Sequence, residues 1–271
     1  MGIVYIMKKN IKTKYAFIDS GLGGLAYLKA LKQKAPNTGT VYIADNANFP
    51  YGTKSEEELI YVAVKLVEKV INSFEPEVII LACNTISVTA LAELRRRFPV
   101  DFVGTVPAIK PAVEKTATGQ IGIIASEKTI KDNYTKELIA KFGKSCKFSF
   151  FAGQKLIQEI ENGLMFKTEA EKIKAIEPAM TFFYKEHVDS LVLACTHFLL
   201  INDVFKKKAE PQIKIIESVD GVIRQTLKIS PPQENKSESS FFFTKNVNPV
   251  EIEKYSEFAS AFGLNFKGLL K

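Results

Sequence analysis

Short runs rich in Val, Ile and Phe alternate with helix-length amphipathic stretches along nearly the whole chain. Runs of four to six residues that are apolar at every position fit strands buried on both faces, which is the signature of parallel sheets sandwiched between helices. The strand-like runs are 15–18, 41–44, 78–82, 102–106, 121–126, 146–151, 190–194, 213–216 and 241–244. Between them lie helical patterns at 25–34, 129–141, 154–162, 169–186 and 249–262, and one opened by Ser55-Glu56-Glu57-Glu58, which reads as a capping box. In that last helix Leu59, Val62, Leu66 and Val70 share one face, and in the helix after residue 83 Val88, Leu91, Leu94 and Phe98 do so. The expected fold class is therefore α/β.

Two of the strand-like segments are near copies: Val78-Ile79-Ile80-Leu81-Ala82-Cys83-Asn84-Thr85 and Ser190-Leu191-Val192-Leu193-Ala194-Cys195-Thr196-His197. The repetition points to two similar lobes, each offering a thiol where a strand ends and a helix starts. In open α/β sheets, ligands sit at the carboxyl ends of strands, so both cysteines are candidates for chemistry on one ligand. A helix start also supplies N–H groups that favour a thiolate or a bound carboxylate. Asp19-Ser20 ends the first strand in the same manner, and His197 lies two residues past Cys195.

Other chemistries find little support. Three cysteines and two histidines, without ligand spacing, make neither a disulfide framework nor a metal site. Cys146, inside an aromatic strand, reads as packing, and His187 as part of a polar connection. The +7 charge is spread over scattered lysines and short runs, which argues for solvated helix faces rather than a nucleic-acid surface. No apolar stretch has the length of a membrane span, Ile3–Met7 is too short for a signal-peptide core, and Ile6 breaks the myristoylation pattern, so a cytoplasmic protein is expected. Translation could start at Met1 or Met7, and residues 1–13 are given no role. Residues 230–240 read as a polar surface loop. The glycines of Ser20-Gly21-Leu22-Gly23-Gly24 do not follow the dinucleotide spacing.

Phe17–Gly24, Asn48-Phe49-Pro50-Tyr51-Gly52, Ala82-Cys83-Asn84-Thr85 and Ala194-Cys195-Thr196-His197-Phe198 together resemble, in order and approximate spacing, the glutamate racemases of the aspartate/glutamate racemase superfamily. The likeness runs from about residue 15 to Phe243-Thr244. Asp45-Asn46 and Val106–Pro111 further resemble the proteobacterial branch, known for control by a cell-wall precursor nucleotide. The resemblance implies a cofactor-independent racemase without a metal, which interconverts L- and D-glutamate and supplies D-glutamate for peptidoglycan. It implies two pseudo-symmetric lobes, each a mostly parallel sheet flanked by helices, with the active site in the cleft between them. The first lobe would be 1–107 plus 216–271, the C-terminal segment returning to it, and the second 108–215.

Carried over by position, Cys83 is the base towards D-glutamate and Cys195 towards L-glutamate, assisted by Asp19 and His197. Ser20, Tyr51, Gly52, Asn84, Thr85 and Thr196 would bind the substrate's carboxylates and amine, joined by Ser126 and Thr129. Glu161 is the candidate auxiliary carboxylate, with Glu159 fitting another alignment. The chain departs from the family at Asn46-Ala47-Asn48, usually Thr-Ala-Arg, at Ala44 and Ala194, usually Gly, and at Ser126, usually Thr. A homodimer is a further family-level expectation. Competing readings are a racemase of the same superfamily acting on aspartate or another amino acid, a regulatory protein binding DNA gyrase, and a redox pair formed by Cys83 and Cys195.

Overall fold

The computed structural model describes residues 13–143, 145–232 and 237–271. Residues 1–12, which include the two candidate starts, and 233–236 of the 230–240 loop lie outside the described residues. Thr13, given no role above, is buried and its N–H donates to the Phe74 carbonyl at 3.0 Å.

Among the described residues, ten strands form two wholly parallel sheets. They are β1 (Tyr15–Asp19), β2 (Thr40–Ala44), β3 (Val78–Leu81), β4 (Asp101–Gly104), β5 (Gln120–Ala125), β6 (Lys147–Ala152), β7 (Ser190–Leu193), β8 (Lys214–Ile216), β9 (Ser240–Phe243) and β10 (Asn265–Leu269). The six-stranded sheet has the order β10-β9-β2-β1-β3-β4, and the four-stranded sheet β6-β5-β7-β8. Alternate residues of each strand enter separate cores, as the period of two requires. Tyr15 and Phe17 pack with the helices at 25–34, 219–229 and 249–261, while Ala16 and Ile18 pack with those at 56–74 and 84–97. In the second sheet Leu191 and Leu193 face the helices at 154–161, 169–185 and 202–209, and Val192 faces the helix at 109–115. Both sheets are thus double-sided, which is why their strands read as continuous apolar runs.

Several local expectations change. Ser55 Oγ accepts the Glu58 N–H at 3.1 Å, but the Glu58 carboxylate pairs with Lys54 Nζ at 2.5 Å, so this cap is not the reciprocal box. Complete capping boxes stand instead at Thr168/Glu171 and Asn248/Glu251. The expected helix at 129–141 is two helices, 127–131 and 133–142. Asp132 breaks them by taking an extended conformation and accepting the Tyr134 N–H on its side chain. Cys146 precedes β6 rather than lying in it, and Ile216 is the last residue of β8, so the return to the first sheet begins after it. β10 was not anticipated: its register shifts between Phe266 and Gly268, where Gly268 takes φ +82°, and its sequence carries no β-branched run. Among the described residues no helix is long and apolar enough to cross a membrane.

Candidate active site

Each sheet has one point where strand order reverses. In the first, the chain goes from β1 to β2 on one side and then crosses to β3 on the other. In the second it goes from β5 to β6 and crosses to β7. The crevice beyond the strand ends at such a point is the natural ligand position. Ile18 pairs with Leu81 in the first sheet and Ile124 with Leu193 in the second. Two residues further on, the same registers set Ser20 opposite Cys83 and Ser126 opposite Cys195. The two thiols therefore occupy corresponding positions on the two sheets. Together with Cys146 they are unbonded cysteines.

The lobes meet through these strand ends. Asp19, wholly buried, accepts the Gly21 N–H at 2.9 Å on one carboxylate oxygen and the Thr196 hydroxyl at 2.9 Å on the other. Glu161, at the end of the helix 154–161, accepts the Leu22 N–H at 2.9 Å and meets His197 Nε2 at 2.8 Å. His197 Nδ1 lies 3.7 Å from Cys195 Sγ, and the Phe49 ring sits 5.9 Å from the imidazole between centroids. Thr85 Oγ1 lies 3.3 Å from Ser126 Oγ and 3.2 Å from Thr129 Oγ1, and the last two are 3.0 Å apart. Lys128 Nζ donates to the Lys54 carbonyl at 2.9 Å. The contacts of Asp19 with Thr196, Glu161 with Leu22, Phe49 with His197, Thr85 with Ser126 and Thr129, and Lys128 with Lys54 join the two sheets' loops.

The glycine loop after β1 is explained by this approach. A Cβ on Gly21 would overlap the Glu161 carboxylate, and one on Gly23 would overlap Thr196 Oγ1. The Gly21 and Leu22 N–H groups are already held by Asp19 and Glu161, so they are not a phosphate cradle.

The two thiols have different surroundings. Burial pushes Cys83 far above the ordinary thiol range, and Asp19 adds to it, against the Ile86 and Thr85 N–H groups at the start of the helix. Burial likewise raises Asp19, opposed by His197, the Gly21 N–H and Thr196. For His197 burial works downward, but its contacts with Cys195 and Glu161 outweigh it and hold the imidazole well above its usual value. Asn84 is buried and its Oδ1 has no hydrogen-bond partner, an orphan acceptor that suits a bound ammonium or another donor.

The structure thus brings Asp19, Ser20, Cys83, Asn84, Thr85, Ser126, Thr129, Glu161, Cys195, Thr196 and His197 to the strand ends of the two sheets. Glu159 instead pairs with Lys155 at 3.8 Å. Tyr51 and Gly52 lie in the helical turn Tyr51–Thr53, where a Cβ on Gly52 would sit 3.4 Å from that of Ser126. The Tyr51 hydroxyl is turned away to Asp45 Oδ2 at 2.8 Å, and burial with Asp45 raises it well above the phenol range. Asp45 was passed over as a site residue. Its position at the end of β2, like that of Asp19 at the end of β1, was the available signal.

The Asp/Glu/hydantoin racemase family model matches residues 22–226. The chain belongs to that family. It is 39% identical over 258 residues to the glutamate racemase of Treponema pallidum (strain Nichols), covering 95% of this chain and 96% of that one. It is 35% identical to the glutamate racemase of Agrobacterium fabrum, over 83% and 84% of the two chains. Among solved structures, Escherichia coli glutamate racemase in complex with L-glutamate and the activator UDP-MurNAc-ala superposes with a TM-score of 0.83. It is 28% identical, with 95% of this chain and 98% of that one covered.

Proposed function

We propose that this member of the family is a glutamate racemase that interconverts L- and D-glutamate by two-base proton transfer, without a cofactor. The observation that carries the mechanism is the placement of Cys83 and Cys195 at corresponding switch points of two facing sheets. Two bases on opposite sides of one carbon can remove a proton from one face and return another to the other face. With L-glutamate, Cys195 takes the Cα proton and Cys83, held as a thiol by burial, donates its own. With D-glutamate the roles reverse. Protonated His197 stands beside Cys195, and Asp19 beside Cys83, as the groups that bias each sulfur.

The Cα proton is far less acidic than a thiol, so donors must stabilise the carbanion-like transition state and water must be kept out. Thr196 and the N–H groups at the start of the helix 84–97 are suited to the α-carboxylate, and Asn84 Oδ1 to the ammonium. The Thr85, Ser126 and Thr129 hydroxyls, with the Tyr51–Gly52 turn, suit the side-chain carboxylate. The lobes expected from the sequence, 1–107 with 216–271 and 108–215, go with this reading once Ile216 is counted with the second, because β1–β4, β9 and β10 share one sheet and β5–β8 the other. So do a cytoplasmic location and a role in supplying D-glutamate to peptidoglycan.

The test follows Cα proton exchange and racemisation in D2O for the parent, Cys83→Ser and Cys195→Ser. Each serine variant loses racemisation by about 10²-fold or more, the usual scale for removing a general acid or base. Full activity in either refutes the two-base mechanism. Aspartate, tried alongside, is the competing substrate, and racemisation of aspartate alone overturns the choice of glutamate.

A nucleotide activator belongs to the same proposal. A cleft of about 610 Å³ is lined by Arg95, Lys110, Lys115 and Arg224 and by the proline pair Pro107 and Pro111. With Glu217 and Asp220 also on the lining, the four cations leave it net positive, which suits a pyrophosphate. UDP-MurNAc-ala raises the racemisation rate of the parent, and Lys110→Glu blunts that rise. An unchanged rate in the parent at saturating nucleotide overturns the activator reading.

A further inference from the structure

Asp45 is almost fully buried at the end of β2, and its carboxylate gathers donors from three places. The Tyr51 hydroxyl donates to Oδ2 at 2.8 Å, the Asn48 amide to both oxygens at 3.0 and 3.2 Å, and the Thr244 hydroxyl to Oδ1 at 2.6 Å. Thr244 directly follows β9, the neighbour of β2 on the side away from β1. Its hydroxyl also accepts the Ala47 N–H at 3.1 Å. A single side chain from the C-terminal segment therefore grips the 45–50 loop at two points, and that loop leads directly into the Tyr51–Gly52 turn beside Ser126. Of the three residues of the turn Tyr51 alone is buried, its ring in the core, so the setting of the turn depends strongly on what holds the loop before it.

A separate set of bonds keeps the chain path there. Asn46 Oδ1 accepts the N–H groups of Thr244 and Lys245, each at 2.9 Å, and Asn46 Nδ2 donates to the Lys245 carbonyl at 3.2 Å. These involve the backbones of Thr244 and Lys245 and survive replacement of the Thr244 hydroxyl, whose own contact with Asn46 Oδ1 is longer, at 3.4 Å. The hydroxyl is thus separable from the docking of β9.

We infer that Thr244 is a positioning residue for substrate binding, acting through Asp45 and Ala47 to set the Tyr51–Gly52 turn against Ser126. This role rests on the reading of the cleft as the glutamate site. It makes the C-terminal segment, which contributes none of the proposed substrate contacts, part of what determines affinity. Because the turn faces the substrate's side chain and not Cα, the effect falls on KM and largely spares the proton transfers.

The test compares the full-length parent, Thr244→Val and Thr244→Ser. KM and kcat for glutamate are measured in both directions, together with the melting temperature. Valine keeps the shape and removes the hydroxyl, leaving the carboxylate short of a donor. It raises KM by about tenfold, the scale of one lost charge-assisted hydrogen bond, while kcat stays within about threefold. Serine restores the hydroxyl and returns KM to near the parent's value. The inference is overturned if valine leaves KM unchanged, if kcat falls in its place, or if serine fails to rescue, since the last result points to packing of the methyl group. A parent that does not racemise glutamate overturns the reading of the cleft itself, and with it this role.

Discussion

At the scale of single residues, the two thiols are near copies in sequence but not in surroundings. Cys83 sits against Asp19, a buried acid, whereas Cys195 faces an imidazole whose other nitrogen is held by Glu161. That difference is what a two-base enzyme needs, because one sulfur must carry the proton the other lacks. The His197 arrangement has a pH signature. Its raised folded value means that the protonated ring stabilises the native state fully below its unfolded value, about 6.5. That contribution declines as pH rises above this point and is gone beyond the folded value. The gap in unfolding free energy between the parent and His197→Asn should therefore be wider at pH 6 than at pH 9. Equal gaps at both pH values would show that Cys195 and Glu161 do not raise the ring. The groups facing it are Cys195 and Glu161, with Asp19 close enough to feel its charge.

At the scale of elements, the glycine loop after β1 shows how packing and function coincide. Gly23 lies where Thr196 and the His197 backbone come closest, leaving no room for a methyl group. Gly23→Ala is expected to push the Thr196 loop off Asp19, costing about 1–3 kcal/mol of stability as overpacking does. Racemisation should fall with it, since Thr196 and Cys195 move together. A variant with parental stability and rate would show that the loops yield without cost. The strands themselves were legible as elements, because period and apolar character are local. Nine of them lie within a residue or two of the expected runs. What was not legible was decided by competition between neighbours. Asp132 caps a second helix because its side chain offers the backbone an alternative acceptor. Glu58 pairs with Lys54, a cation one residue before the cap, so the reciprocal box at Ser55 is not completed. β10 is a strand because β9 presents an unpaired edge, not because Asn265–Leu269 favours extension.

At the scale of the molecule, the site exists because two separately wound sheets present their switch points to each other. The bonds from Thr196 to Asp19, Leu22 to Glu161 and Thr85 to Ser126 each take one partner from each sheet's loops. A ligand that bridges these loops should therefore quiet both at once. In amide hydrogen exchange, glutamate is expected to slow the segments around 20–24 and 83–86 in step with 126–129 and 195–198. Protection confined to one set would mean that substrate binds one lobe alone.

By itself, the chain's pattern of apolar runs determined the parallel α/β class, the strand ends and the kinds of side chain placed there: two cysteines, an aspartate, hydroxyls and one histidine. These are properties of a few consecutive residues, where side-chain period and chemistry act directly. Only the tertiary structure decided who faces whom. It chose Glu161 over Glu159 for His197, gave Asp45 its three donors, brought Thr244 from the far end of the chain to the loop before Tyr51, and set Cys83 beside Asp19. Those pairings follow from strand order and from the closing of long connections, and no local pattern encodes either. The same physics that makes Cys83 unlike Cys195, burial and the charges nearby, comes into being only once both sheets are in place.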